Sequence, residues 1–124
     1  MTTQAFPKPV RLILENYKIP SWNSMYSGQH FSKRMAMKDE ACFAVIEALN
    51  NQSFTMYRNK VHITIVGHFR RLLDCDNIAS KLVIDALKGK LIEDDTPKYV
   101  DGVTTRSVKS TSDFVEVIIE EMVK

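Results

Sequence analysis

Cysteine is scarce in this chain: its 124 residues include only Cys42 and Cys75, and neither lies in a paired motif. This usage indicates free thiols in a reducing compartment rather than a disulfide framework. Histidine is almost as rare, with three residues, and no Cys or third His completes a zinc pattern around His62 and His68. We therefore expect these two histidines to be half-buried in a sheet.

Long hydrophobic runs are also missing. No apolar stretch approaches the roughly 20 residues of a membrane span, and the first residues lack the apolar centre of a signal peptide, so we expect a cytoplasmic protein. The composition, 44% hydrophobic and 26% charged, is that of an ordinary globular protein. Without a repeat, linker or low-complexity segment, residues 1–124 are predicted to form a single domain.

Charge is distributed unevenly along the chain. Residues 1–73 contain ten Lys or Arg and four Asp or Glu, a net +6, whereas residues 74–124 contain seven and eleven, a net −4. A basic half beside an acidic segment is typical of nucleases, in which cations hold phosphates and carboxylates hold a metal ion. The alternative is that both halves are only solvated surfaces.

Six carboxylates lie within residues 74–95. Asp74 and Asp76 follow an apolar alternating run, and two residues spaced by two on an extended backbone point the same way. Asp94 and Asp95 return after a helix-sized interval, in which Asp76 is expected to be the N-cap and Gly89 the helix end. Oxygen-only clusters favour Mg²⁺ or Mn²⁺. Alternatively, Asp76 only caps the helix and Asp94 and Asp95 begin a solvated turn.

The order of residues in this segment resembles that of the RusA-like endodeoxyribonucleases, the Holliday junction resolvases common in bacteria and their phages. The resemblance covers about a fifth of the chain. The interval from Asp76 to Lys81 is one residue longer than in the family pattern. Ser80 can therefore occupy the position that a lysine has in the family, in place of Lys81. The matching residues are Asp74, Asp76, Asn77, Lys81, Asp85, Ala86, Leu87, Gly89, Asp94 and Asp95.

The resemblance implies a magnesium-dependent enzyme, with Mn²⁺ as an alternative ion, that hydrolyses phosphodiesters in four-way DNA as a homodimer. The metal ligands of this enzyme would be Asp74, Asp76 and Asp95, and Asp94 could take the place of Asp95. Lys81 would support the negative charge of the transition state, and Asn77 would orient a ligand or water. Two functions from other classes stay open, namely a branched-DNA-binding module that does not cut and a structural metal-binding domain.

Several polar and basic residues are candidates for DNA binding. Pro20, Ser21 and Asn23 resemble the Pro-Ser-Asn loop after the first strand of RusA-like proteins, where Asn23 would contact a DNA strand. The alternative is a surface turn with Trp22 against the core. The cationic candidates are Arg70 and Arg71, directly before the acidic segment, and Lys33, Arg34 and Lys38, near the start of a predicted helix.

The hydrophobic pattern predicts an α+β domain with a largely antiparallel sheet and two main helices over one face. We expect strands over residues 10–14 and 60–69, with a short one over 54–58. Residues 99–109 and 114–122 are expected to form a closing hairpin, with a bulge at Gly102. The most regular helix is predicted over residues 31–50, with Met35 and Ile46 in its buried stripe.

Overall fold

The computed structural model of this protein describes residues 9–26, 31–50 and 54–122. Within these ranges, no helix is both long and apolar enough to cross a membrane. The strands are β1 (Val10–Leu14), β2 (Val61–Phe69), β3 (Val100–Lys109) and β4 (Phe114–Glu121). The helices are α1 (Trp22–Tyr26), α2 (Phe31–Leu49) and α3 (Ser80–Leu87), and a 3-10 helix spans Cys75–Asn77.

The strands form one sheet in the order β1-β4-β2-β3. β4 pairs antiparallel with β1 and with β2, whereas β2 and β3 run parallel. The almost continuous burial along β2 suits its position inside the sheet, where both edges of its backbone are paired. The predicted α+β domain, with a largely antiparallel sheet and two main helices, is confirmed.

The predicted closing hairpin was wrong. β3 and β4 follow one another in the chain, but β2 lies between them and pairs with both. α3 stands between β2 and β3 in the chain, and a crossover through a helix allows the next strand to run parallel to the first. A short turn between two apolar runs therefore did not make those runs neighbours in the sheet.

One face of the sheet packs against the helices and forms the core. Alternate positions along β1, β2 and β4 point to this face and are buried together with side chains of α2 and α3. On the opposite face His62 and His68 are half-buried, as predicted. The strand residues in the core include Leu12, Leu14, Ile63, Ile65, Val115, Val117 and Ile119.

α2 confirms the helix predicted for residues 31–50, but its inward face differs from the predicted stripe. Met35 and Ile46 are 39% and 43% exposed, and Phe43 is 67% exposed. Small side chains allow the helix backbone to approach its neighbours closely, and α2 contacts both β1 and α3. Its buried residues are Ala41, Ala44, Val45, Ala48 and Leu49.

A short helix, α1, occupies part of the segment predicted as a loop after β1. The Ser21 hydroxyl accepts a hydrogen bond from the backbone N–H of Ser24 at 2.9 Å, as an N-cap side chain does. The rings of Trp22 and Tyr26 stack with their centroids 5.7 Å apart. Trp22 also packs against the core, as expected from the alternative in which this segment is a surface turn with Trp22 against the core.

Two smaller predictions have different outcomes. Residues 54–58 form irregular chain and not a strand, and Tyr57 is held by a backbone N–H bond to the Leu91 carbonyl at 2.8 Å. The β2–β3 register skips Asp101, because Val61 faces Val100 and the next residue faces Gly102. The expected irregularity at Gly102 is thus present, with the extra residue one position earlier.

Gly67→Ala is expected to destabilise this fold. A Cβ atom at residue 67 would overlap the ring of Phe69, which is 1% exposed and enclosed by the core. Overpacking of this kind costs about 1–3 kcal/mol, which urea denaturation should detect. Gly102→Ala is the control, because its Cβ would meet the His62 ring at 3.4 Å, and it should cost less. Wild-type stability in Gly67→Ala would show that the Phe69 ring can move aside.

Candidate metal and DNA site

The loop before α1 lies against the segment that precedes α3. The backbone N–H of Ala79 donates to the Pro20 carbonyl at 2.9 Å, and Ser21 forms an isolated β-bridge with Ile78. The backbone N–H of Asn23 donates to Oδ1 of Asn77 at 3.2 Å. Two stretches that are more than 50 residues apart in the chain, and that both carry candidate residues, are therefore joined.

Asp74 and Asp76 lie at the surface in and before the 3-10 helix. Their turn is closed by the N–H of Asn77, which donates to the Asp74 carbonyl at 2.9 Å, and is attached to β3 by the Thr105 hydroxyl, which donates to the Cys75 carbonyl at 2.7 Å. Within the described residues, neither carboxylate has an ion-pair partner. Both are thus accessible to a ligand.

The prediction that Asp76 caps the following helix was wrong. Asp76 belongs to the 3-10 helix, the backbone of Ile78 is extended, and α3 begins only at Ser80 with Ala79 as its N-cap. The β-bridge of Ile78 to Ser21 requires this extended residue and delays the helix. The predicted helix end is confirmed, because Gly89 has a φ of 76°, the left-handed conformation that follows many helix C-caps.

Asp94 and Asp95 belong to an ion-pair network centred on Lys88. The Lys88 ammonium lies 3.3 Å from Asp95, 3.8 Å from Asp94 and 3.2 Å from Asp85. Oδ1 of Asp94 also accepts the backbone N–H of Asp95 at 2.8 Å, which fixes the turn between them. Sequence reasoning missed Lys88, although its position three residues after Asp85 on a helix is a spacing at which opposite charges meet.

The charges around Lys88 shift the pKa values of the network. Burial raises the pKa of Asp95, but the hydrogen bond and the positive charge of Lys88 outweigh this effect, and the pKa of Asp95 is lowered. Hydrogen bonds to Asp85 and then to Asp95 raise the pKa of Lys88. Lys88 is therefore a firmly protonated cation at the side of the two candidate metal ligands.

Lys81 and Ser80, the two candidates for the lysine slot, occupy the first turn of α3. The Lys81 ammonium lies 3.4 Å from Asp85, four residues further along the helix. Its side chain is half exposed, so this contact is an ordinary surface pair that a phosphate could replace. Asp85 thus connects Lys81 to Lys88.

A divalent ion would require several of these carboxylates to converge. In the part of the chain that the structure describes, no three Asp, Glu, His or Cys side chains are arranged to hold one ion. The donors fit a hard cation in their chemistry, since all are carboxylate oxygens. Asp74, Asp76 and Asp95 do not form a closed ligand set in this conformation, and Lys88 neutralises part of the charge that such a set would need.

Basic residues line two adjoining clefts near the end of β2. One, of about 330 Å³, is lined by Lys18, Arg70, Arg71 and Asp113. The other, of about 230 Å³, shares Lys18 and Arg71 and continues to Ser21 of the candidate loop. Arg70 is held by Asp113, which accepts its backbone N–H at 2.9 Å, whereas Arg71 has no ion pair within the described residues. Lys18 was missed because an isolated lysine carries no sequence signal.

The other cationic candidates lie on α2. Lys33 and Lys38 are exposed and Arg34 is half-buried in the first half of this helix. None of the three lines the two basic clefts. The structure therefore separates the predicted cations into a cleft group at the end of β2 and a helix group on α2.

The comparisons with known proteins add no assignment: the chain matches no model of a known protein family and no curated protein. The geometry alone describes what the site can do. It offers two accessible carboxylates on a tethered turn, a second carboxylate pair held by a lysine, and basic clefts that lead to the same loop. Carboxylates beside cationic clefts are suited to a metal ion and to phosphate.

Lys88→Met is expected to raise the pKa of Asp95, because it removes the cation that opposes the effect of burial. A carboxylate with a depressed pKa stabilises the fold above its unfolded pKa and loses this contribution as the pH falls through its folded pKa. The variant should therefore lose less stability on acidification between those two values. An NMR titration that follows the carboxyl carbon of Asp95 would measure the pKa of this group. Lys81→Met, which removes a contact to Asp85 only, should leave it unchanged; an equal shift in both variants would contradict the assignment to Lys88.

Proposed function

We propose that this chain is a metal-dependent, structure-specific endodeoxyribonuclease that resolves four-way DNA junctions as a homodimer. The observation that carries the proposal is the contact of Asn23 with Asn77. It joins the loop that resembles the Pro-Ser-Asn loop of RusA-like proteins to the segment that resembles their metal-binding motif. Two resemblances found separately along the chain therefore meet at one surface.

The side chains have distinct roles in this proposal. Asp74 and Asp76 would hold the divalent ion together with Asp95 or Asp94, and the bound ion would supply an activated water and neutralise charge on the phosphate. Arg71 and Lys18 bind phosphates of the DNA strand in the basic clefts. Asn77 accepts the Asn23 amide and thereby keeps the Asp74–Asn77 turn against the DNA-binding loop.

In this proposal, Lys88 controls when Asp94 and Asp95 are free to bind a metal ion. Its ammonium must withdraw from Asp95 before that carboxylate is free to complete a ligand set with Asp74 and Asp76. The Lys88 side chain is about one-third exposed, so it can turn towards solvent or a phosphate. A DNA phosphate would bind Lys88 and a divalent ion would bind Asp95. Each ligand would thus replace one partner of the Lys88–Asp95 ion pair.

A branched-DNA-binding module that does not cut is the second candidate function. It is favoured by the same Lys88 contacts, because carboxylates that already have a cation do not need a metal ion for charge balance. The two functions share the basic clefts and differ in the use of the carboxylates. Cleavage of a synthetic four-way junction, with and without Mg²⁺, distinguishes them.

Asp76→Asn is expected to abolish Mg²⁺-dependent junction cleavage while junction binding survives. The change removes a ligand charge but leaves the basic clefts intact. Gel assays of cleavage and of binding on the same labelled junction would measure both properties. Glu120→Gln removes an exposed carboxylate on β4 and is the matched control. Wild-type cleavage by Asp76→Asn would exclude Asp76 as a ligand, and an inactive wild type that still binds junctions would support the non-cutting module.

Arg71→Ala and Lys18→Ala are expected to weaken junction binding and to flatten its salt dependence. Each lost phosphate contact should reduce the slope of log affinity against log salt by about 0.9 on duplex arms. Fluorescence anisotropy across a salt series would measure these slopes, with Lys60→Ala as the exposed control. Arg34→Ala tests the helix group in the same series. Unchanged slopes for both cleft variants would show that the phosphates bind elsewhere.

A further inference from the structure

A groove of about 460 Å³ separates the edge strand β1 from α2. On the strand side it is lined by Arg11, Ile13 and Glu15, and on the helix side by Glu40, Phe43 and Glu47. None of the residues assigned to metal or DNA binding lines it. The groove is therefore a separate feature of the protein that the proposed nuclease function does not use.

The groove has the dimensions of a short extended peptide. From Arg11 to Glu15 an extended backbone covers about 13 Å, at roughly 3.3 Å per residue. The lining positions of α2, from Glu40 to Ala48, cover about 12 Å, at roughly 1.5 Å per residue. The two walls thus have similar lengths, and about four extended residues could lie between them.

One wall of the groove is a sheet edge. β1 is the terminal strand of the described sheet, with β4 on its inner side and no strand on its outer side. The strand contains no Pro or Gly between Val10 and Leu14, and an edge of this kind can accept the backbone of a further strand. Strand addition is a recurrent mode of peptide recognition, in which alternate side chains of the peptide enter pockets.

The other property of the groove is negative charge. Residues 1–73 contain only four carboxylates, and Glu15, Glu40 and Glu47 are three of them. Arg11, the one cation among the described residues that line the groove, is paired with Glu116 at 2.5 Å. Within the described residues, Glu15 and Glu40 have no ion pair. The basic half of the chain has therefore gathered most of its acidic side chains at this groove.

A buried hydroxyl adds a polar partner at the same place. Tyr17 lines the groove and is 3% exposed, and its hydroxyl has no hydrogen-bond partner among the described residues. Burial, and then the negative charge of Glu40, raise the pKa of Tyr17, and both residues line the groove. An ammonium group beside Glu40 could donate to this hydroxyl as well. Phe43, 67% exposed, offers an apolar surface to the aliphatic part of such a side chain.

We propose that this groove binds an extended basic segment of a partner protein, in which Lys or Arg alternate with apolar residues, by strand addition to β1. The carboxylates select cationic side chains, and the sheet edge holds the backbone. The inference goes beyond the proposed nuclease function and does not depend on it. A second copy of this chain is a poorer occupant, because it would bring its own three glutamates into the same groove.

The probe for a direct test is a fluorescein-labelled peptide of about seven residues that alternates Lys with Val, long enough to cover the groove. Fluorescence anisotropy with the full chain should show saturable binding that weakens with salt. A peptide alternating Glu with Val should not bind. A Lys-Val peptide with N-methylated backbone amides should bind more weakly, because it cannot pair with a strand edge.

Variants of the protein locate the site. Glu15→Lys and Glu40→Lys should each weaken binding of the Lys-Val peptide by roughly five- to tenfold, and Phe43→Ala should weaken it without changing the salt dependence. Glu93→Lys makes the same change of charge at an exposed residue outside the groove and is the control. All the substituted residues are exposed, so circular dichroism melting should show unchanged folding.

Three results would overturn the proposal. The first is equal binding of the Lys-Val peptide by wild type and by both groove charge variants. The second is an equal loss of binding in Glu93→Lys, which would mean that only overall charge matters. The third is concentration-dependent self-association in sedimentation that Phe43→Ala abolishes, which would assign the groove to a second copy of this chain.

Discussion

The arrangement of this protein depends on the backbone of β2, which must be hydrogen-bonded along both edges because its side chains are buried almost throughout. β4 satisfies one edge and β3 the other. Since β3 runs parallel to β2, the chain must cross back over the sheet between them, and it does so through the 3-10 helix and α3. The whole acidic segment lies on this crossover, and the basic clefts lie at the end of β2 where the crossover begins.

The crossover also determines how the carboxylates are balanced. Asp74 and Asp76 precede α3 and stay free of internal cations among the described residues, whereas Asp94 and Asp95 follow it and meet Lys88 at its end. Removing one partner from such a network exposes the remaining charges to mutual repulsion, so any ion that recruits Asp95 must compensate for the loss of Lys88. Affinity for a divalent cation and the position of one lysine are therefore coupled.

Sequence reasoning succeeded where the information is local. The alternation along residues 61–69, the helix over 31–50 and the role of Gly89 each depend on a few neighbouring residues. It failed where a distant partner decides. Strand order is set by pairing across the sheet, so the turn between β3 and β4 could not reveal that β2 lies between them. Likewise, α2 turns its alanines inward because close packing with α3 and β1 outweighs the burial of Met35 and Ile46.

In the candidate site, too, the sequence revealed local features and did not reveal long-range contacts. The residue types of the acidic segment could be recognised from their order, but their contacts could not, because the Lys88 network and the Asn23–Asn77 bond join segments that the chain itself separates. Net charge was an incomplete guide for a related reason. The excess of cations in the first 73 residues indicated a basic half of the chain, whereas folding gathers three of the four carboxylates in that half at the β1–α2 groove. Because these acidic side chains lie at a separate groove, they are not among the cations of the two basic clefts. The first 73 residues therefore present two surfaces of opposite charge.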